Sequence, residues 1–481
     1  MLTIQGHPRS VCSGMTRRTA LQVGGAGLFG LSLPKVMAAE AATAPFIKGR
    51  AKSVMFLFLF GGPSQLETFD MKPEAPSEIR GPFNTVKSKT PGLHISEHLS
   101  RTARISDQLC VIRTMTHPHN DHNACHYIQT GHSWTRNAAN GQDVNARPSD
   151  WPSMGSVVEY LSRKAADAND RALPDYVYLP NRLGALQGYD RTGQYAGWLG
   201  SAYNALATDI QKQGKQDNPY FRECTDDELD FRLRGLASTA TISVDRLNIR
   251  RNLQSQFDDA RRVLQNLEVH RNFDRIHQRA LSLVASEKMR KAFDIQQEND
   301  KLRDRYGRHL FGQSTLMGRR MVEAGARFVT VLWDAPDGYS WDSHLHCNHL
   351  KKHLLPGFDQ AFSALITDLD ERGLLDETLV VAVGEMGRTP KPSHKHGPWG
   401  RGHWSHCFPC VLAGAGIRGG TVYGTSDRYA AYPTESPVSP EDLAKTIYWS
   451  LGIDPNLVLP DREGRPTPLI ERGQPLTHLF A

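Results

Sequence analysis

Four continuous apolar runs, each ending in polar residues, constrain this chain more than any other feature. The first, Ser53-Val54-Met55-Phe56-Leu57-Phe58-Leu59-Phe60, is stopped by Gly61-Gly62-Pro63. A run with no polar alternation reads as a strand buried on both faces, as in a parallel sheet covered by helices. The second, Leu109 to Met115, precedes a histidine-rich segment. The third, Arg327-Phe328-Val329-Thr330-Val331-Leu332-Trp333, precedes an Asp-rich loop, and the fourth, Thr378-Leu379-Val380-Val381-Ala382-Val383, ends at Gly384-Glu385. Each run therefore delivers polar groups at its C-terminal end, where open α/β sheets place their ligands.

Between the third and fourth runs, Leu355, Phe358, Ala361, Phe362, Leu365, Ile366 and Leu369 recur at helical spacing, and Gly373 closes the helix. Strand, helix, strand is a βαβ unit. The fold class expected is α/β, with a mostly parallel central sheet flanked by helices. From about Asn218 to Gly307 the pattern is charged and amphipathic (Leu253, Phe257, Ala260, Val263, Leu264, Leu267), which predicts a helical insertion or cap.

The N-terminus has its own logic. Thr16-Arg17-Arg18-Thr19-Ala20-Leu21 precedes a short Gly-rich apolar run to Leu33, and small residues follow at Ala38, Ala39, Ala41 and Ala42. This is the layout of a signal peptide resembling the twin-arginine type, and Met15 is an alternative start. We expect a signal over residues 1–44, one α/β domain over 45–481, a periplasmic or extracellular location, and no stable transmembrane span after cleavage. At 481 residues, with 39% hydrophobic and 22% charged, the chain has ample core-forming capacity. Its formal charge of +6 is spread along the sequence. No basic stripe with interleaved aromatics is present, which argues against a nucleic-acid partner. Cys407 and Cys410 lack a second Cys or His pair, so they are either a disulfide or buried thiols.

Histidines cluster behind the apolar runs: His117, His119, His122, His126 and His132 with Asn120 and Asp121; Asp342, His344, His346 and His349; and His394, His396, His403 and His406 downstream of Glu385. Imidazole and carboxylate converging from several strand ends suit a divalent cation, zinc foremost, with iron, manganese and calcium as alternatives.

The segments Gly61-Gly62-Pro63-Ser64-Gln65-Leu66-Glu67-Thr68-Phe69-Asp70, Trp341-Asp342-Ser343-His344, Gly384-Glu385-Met386-Gly387-Arg388-Thr389-Pro390, Gly402-His403-Trp404 and Leu412-Ala413-Gly414-Ala415-Gly416-Ile417-Arg418-Gly419-Gly420 resemble those of the bacterial family called domain of unknown function 1501. That family is grouped with the alkaline-phosphatase and sulfatase superfamily, so the resemblance implies an alkaline-phosphatase-like fold. It also implies metal ligands at Asp342, His344, Glu385 and His403, with a further acid from Glu67 or Asp70. Two positions depart from the superfamily pattern. Met386 stands where a ligand histidine belongs, and Asn120-Asp121-His122 stands where Ser or Cys would supply the nucleophile.

A hydrolase on this sequence would draw its nucleophile from water activated by the metal, with His122 or Asp121 as ligand or general base. Arg388 would either clamp a phosphate or sulfate oxyanion or pair with Glu385. The expected function is an exported, metal-dependent hydrolase of phosphate or sulfate esters, acting on a small-molecule or polysaccharide substrate. The alternative is a catalytically altered metal-binding or scaffold protein with a cell-surface partner.

Overall fold

The computed structural model describes residues 48–133, 144–165, 174–210, 213–214, 217–231, 291–335, 340–344, 347–393 and 399–481. The expected signal over 1–44, His346, His394, His396 and most of the expected insertion (232–290) lie outside the described residues.

The apolar runs form the sheet anticipated. Its strands are β1 (Ser53–Leu59), β2 (Leu109–Met115), β3 (Tyr176–Leu179), β4 (Leu206–Ala207), β5 (Phe328–Trp333), β6 (Thr378–Val383), β9 (Phe408–Ala413) and β10 (Thr421–Tyr423). A separate two-stranded ribbon joins β7 (Gly387–Arg388) to β8 (His403–Trp404). The sheet order is β10-β2-β9-β6-β1-β5-β3-β4. Only β9 runs against its neighbours; every other pairing in this sheet is parallel. The fold class is therefore the one expected, a mostly parallel α/β sheet.

Helices cover both faces. One layer holds α3 (Leu310–Ala324) and α4 (Leu355–Glu371); the other holds α1 (Ala124–Thr130), α2 (Met154–Ala165) and α5 (Pro440–Ser450). The alternation of side chains along β1 shows why the run had to be apolar throughout. Met55, Leu57 and Leu59 pack with Leu316, Phe358 and Leu365 on one side, while Val54, Phe56 and Phe58 pack with Val157, Leu443 and Ile447 on the other. Each such side chain, once buried, contributes about 1.5–3 kcal/mol. α5 starts with a reciprocal Ser439–Asp442 capping box. α4 ends at Arg372, followed by Gly373 at φ +67°, as the sequence predicted.

The β5–α4–β6 unit has one feature the sequence did not disclose: β1 lies between its two strands. Phe58 pairs with Val383 and Leu59 with Trp333, so three parallel strands end side by side. That alignment places Gly61, Asp334 and Glu385 at neighbouring strand ends. Cys110, Cys125, Cys224, Cys407 and Cys410 are buried and outside any disulfide, which settles the Cys407/Cys410 alternatives in favour of thiols. Among the described residues no helix is long and apolar enough to cross a membrane.

Candidate metal centre

Three ligand-type side chains converge past the strand ends. His122, Asp342 and His403 each offer one atom, all lying within 4.8 Å of one another. His122 comes from the turn leading into α1, where the Asn123 amide donates to Asp121 Oδ1 at 2.8 Å and the Cys125 amide donates to the His122 carbonyl at 3.1 Å. Asp121 therefore shapes the turn that presents His122. Asp342 follows Trp341, whose amide donates to the Phe60 carbonyl at 3.0 Å and whose buried ring packs against Trp333 and Phe358. His403 stands on the β7–β8 ribbon, opposite Arg388. Asn120 ties that ribbon to the His122 turn, donating to the His403 carbonyl at 3.2 Å and accepting from the Ser405 amide at 3.0 Å.

The two oxygens of Asp342 have different neighbours. Oδ2 lies 3.2 Å from His122 Nε2. Oδ1 meets Arg388 Nη2 at 2.5 Å, His344 Nε2 at 3.1 Å and His403 Nε2 at 3.3 Å. Burial alone would raise this carboxyl, but the Arg388 guanidinium and the three imidazoles hold it far below the usual carboxylate range. For His122, burial pulls downward and the Asp342 and Glu385 carboxylates outweigh it, leaving the imidazole at about 9. Burial lowers His403. His344 is the most open of the three imidazoles, with 40% of its side chain exposed against 17% for His122 and 20% for His403.

Glu385 is fully buried and approaches from the far side of His122. Its Oε1 lies 2.8 Å from His122 Nδ1, and the Gly61 amide donates to both carboxylate oxygens, at 2.9 and 3.0 Å. His117 Nε2 lies 2.6 Å from the Glu385 carbonyl. Burial holds the His117 imidazole down at about 4, so it is neutral and its Nε2–H donates to that carbonyl.

Two imidazoles and a carboxylate at this separation are a donor set that zinc, manganese or iron accepts. The residues present therefore fit a divalent cation, with Asp342, His122 and His403 as the group that would hold it and His344 alongside.

Other residues singled out from the sequence have different surroundings. Arg388 is completely buried; besides Asp342 it donates to the carbonyls of Gly61, Gly62 and Arg401, so the carboxylate it meets is Asp342 and not Glu385. Glu67 pairs with Arg401 at 2.6 Å, both about 1% exposed. Asp70 lies 2.9 Å from Lys72 and 3.4 Å from Arg113, and accepts from Ser426. Neither acid belongs to the His122–Asp342–His403 group. Met386 is buried against Gly62. Cys125 is 1% exposed within an apolar core, its Sγ 3.5 Å from the Thr192 carbonyl.

Asp334 went unremarked as a site residue in the sequence, although it directly follows β5. Burial raises its carboxyl to about 6, and it accepts from the Gly184 amide at 2.7 Å and from Gln187 at 3.2 Å. The strand-end rule that picked out Glu385 would have found it too. Nothing local marks the Gly61 amide or His117 as supports of Glu385, because those contacts exist only once the strands align.

A family model described as protein of unknown function (DUF1501) matches residues 51–480. No curated protein matches the sequence. Among solved structures, the chain is similar to Ps i-CgsB with a TM-score of 0.39 and 10% identity, covering 84% of this chain and 72% of that one. It is also similar to the phosphonate monoester hydrolase SpPMH from Silicibacter pomeroyi, with a TM-score of 0.34 and 12% identity, covering 89% of this chain and 76% of that one.

Proposed function

We propose, for a chain that belongs to the DUF1501 family of proteins of unknown function, a metal-dependent hydrolase of phosphate or sulfate esters. The observation that carries this reading is the convergence of His122, Asp342 and His403 within 4.8 Å beyond the ends of parallel strands. The order of motifs along the chain, which resembles the alkaline-phosphatase and sulfatase superfamily, supports it as well. A divalent cation held there would supply Lewis acidity and bring the pKa of water toward neutrality. That chemistry suits the His122 segment, where Asn120, Asp121 and His122 stand in place of Ser or Cys and Cys125 faces the apolar core.

The chain's own residues have separable roles in this proposal. Asp342, His122 and His403 bind the cation, and Arg388 fixes the Asp342 carboxylate through Oδ1, leaving Oδ2 toward His122. His344, the most open imidazole, borders the entrance that an ester would use. Because His122 carries a raised proton affinity, cation binding would release a proton and weaken in acid. The N-terminal Arg17-Arg18 pair supports export of the folded, loaded protein.

A second reading, a metal-binding scaffold, is favoured by Arg388: its guanidinium is sealed inside the protein and committed to Asp342 and carbonyls, which leaves it unable to clamp a substrate oxyanion. Elemental analysis of protein purified without chelators, followed by an ester screen before and after metal removal, separates the two. Stoichiometric metal with metal-dependent turnover supports the hydrolase, and metal without turnover supports the scaffold. An Asp342→Ala/His403→Ala double variant that kept its metal would overturn both.

A further inference from the structure

We propose that Glu385 is a positioning residue and not a ligand: it fixes the His122 ring so that Nε2 is the nitrogen offered to a single cation shared with Asp342 and His403. This rests on the metal-centre reading above. An imidazole has two nitrogens, and the one that donates a hydrogen bond decides which one is left with a lone pair. His122 Nδ1 lies 2.8 Å from Glu385 Oε1, while Nε2 lies 3.2 Å from Asp342 Oδ2, on the side where His403 also stands. A carboxylate facing Nδ1 selects the tautomer with the proton there and the lone pair on Nε2.

Glu385 is itself held where it can do nothing else. Its side chain is completely buried, and both oxygens accept from the Gly61 amide. That amide is delivered by a turn with no slack: Gly61 has φ +105°, and a Cβ there would lie 2.2 Å from the Asp342 nitrogen. His117 anchors the Glu385 carbonyl from the other side at 2.6 Å. The Phe60 ring, 5.1 Å from the His122 ring, restricts the imidazole further. To join Asp342 on the Nε2 side of His122, Glu385 would have to give up its contact with Nδ1. Losing such an outer partner typically weakens metal affinity by about 10–100-fold without removing the site.

The test is a cation titration of the full chain, stripped of metal, by competition with a chromophoric chelator. Wild type, Glu385→Gln and His403→Ala are compared with zinc, and again with cobalt(II), whose visible absorption reports coordination. We expect about one cation per chain in wild type. Glu385→Gln should keep that stoichiometry and the intensity of the cobalt band, with affinity lowered about 10–100-fold; His403→Ala should lose both. A wild type that binds two cations, or a Glu385→Gln variant whose cobalt band collapses like that of His403→Ala, would make Glu385 a ligand and overturn the proposal. Unchanged affinity in Glu385→Gln would overturn the positioning role. A wild type that binds no cation would instead sink the metal centre itself. Should Glu385→Gln fail to fold, ¹⁵N-histidine spectra of loaded wild type decide the matter: His122 must show a protonated Nδ1 and an unprotonated Nε2, and the opposite tautomer refutes the assignment.

Discussion

Arg388 Nη2 lies 2.5 Å from Asp342 Oδ1, and the same guanidinium donates to the carbonyls of Gly61, Gly62 and Arg401. One buried cation thus joins the end of β1, the Asp342 segment and the β7–β8 ribbon that carries His403. Arg388→Ala leaves a carboxylate and three carbonyls short of a donor, a loss of about 3–5 kcal/mol. Arg388→Lys keeps the charge but cannot fan out to partners in several directions, so it should recover less than half of that. Urea unfolding of the metal-free variants checks the order; a lysine variant as stable as wild type would refute the account.

Gly61 admits no side chain. Its φ of +105° disfavours any L-residue, and its Cβ position falls 2.2 Å from the Asp342 nitrogen. Gly61→Ala should therefore destabilise by more than about 2 kcal/mol, and should lower cation affinity as well by displacing both Asp342 and Glu385. Gly373 is the control: its φ is +67°, but a Cβ there meets nothing within 4 Å. Gly373→Ala should cost only about 1 kcal/mol and leave cation affinity unchanged.

These contacts show where the sequence was readable. β1, β2, β5 and β6 were legible because strands buried on both faces are predominantly apolar, and α4 because its buried face repeats at helical spacing. β3 and β4 are too short to stand out, and β9 interleaves between β2 and β6 from far along the chain. Asp342, His403 and His122 were legible as ligand types behind strands. The direction in which Arg388 and Glu385 point was not, because it is set by β1 inserting between β5 and β6, a pairing that no local pattern encodes. Glu67 and Asp70 illustrate the same limit: an acid after a strand can serve a metal or an arginine, and only the fold brings Arg401 and Arg113 to them.

Glu67 offers a direct comparison with His122, Asp342 and His403, the proposed ligands. It is buried beside Arg401 at 2.6 Å, with Arg401 further anchored to the Ile79, Thr389 and Pro390 carbonyls. Removing one partner of such a pair strands the other charge, so Glu67→Gln should cost about 3 kcal/mol. Cation stoichiometry should stay at the wild-type value in the folded variant. Loss of bound metal at temperatures where the variant remains folded would place Glu67 at the centre after all.

His132 should make the stability of the metal-free protein sensitive to acid. Its ring stacks on Trp151 at 3.5 Å, its Nε2–H donates to the Leu469 carbonyl at 2.8 Å, and burial pushes its pKa from 6.5 down to about 4. Since the folded value lies below the unfolded one, the unfolded chain binds the extra proton between the two, and stability falls as pH drops from 6.5 toward 4. The full shift is worth up to about 3 kcal/mol. His132→Gln, which can keep a donor to Leu469, should have a shallower stability slope across that window in metal-free protein. An identical slope in the two proteins would show that His132 does not titrate this way.

Cys125 tests where the nucleophile of the proposed hydrolysis would come from. It occupies the helical turn after the His122 segment, close in sequence to where a superfamily nucleophile would stand, yet its Sγ points to the Thr192 carbonyl and its neighbours are core residues. A thiol buried in apolar surroundings is a poor nucleophile, because only the thiolate attacks. Cys125→Ala should therefore keep kcat within about threefold of wild type for any ester the protein turns over, while removing only a small buried group at about 1 kcal/mol. Thiol-directed alkylation of the folded protein should likewise leave turnover intact. A drop in kcat of more than about a thousandfold in a stably folded Cys125→Ala variant would instead mark a covalent route through the thiol, comparable to the loss seen on removing an essential nucleophile, and would displace water as the attacking group.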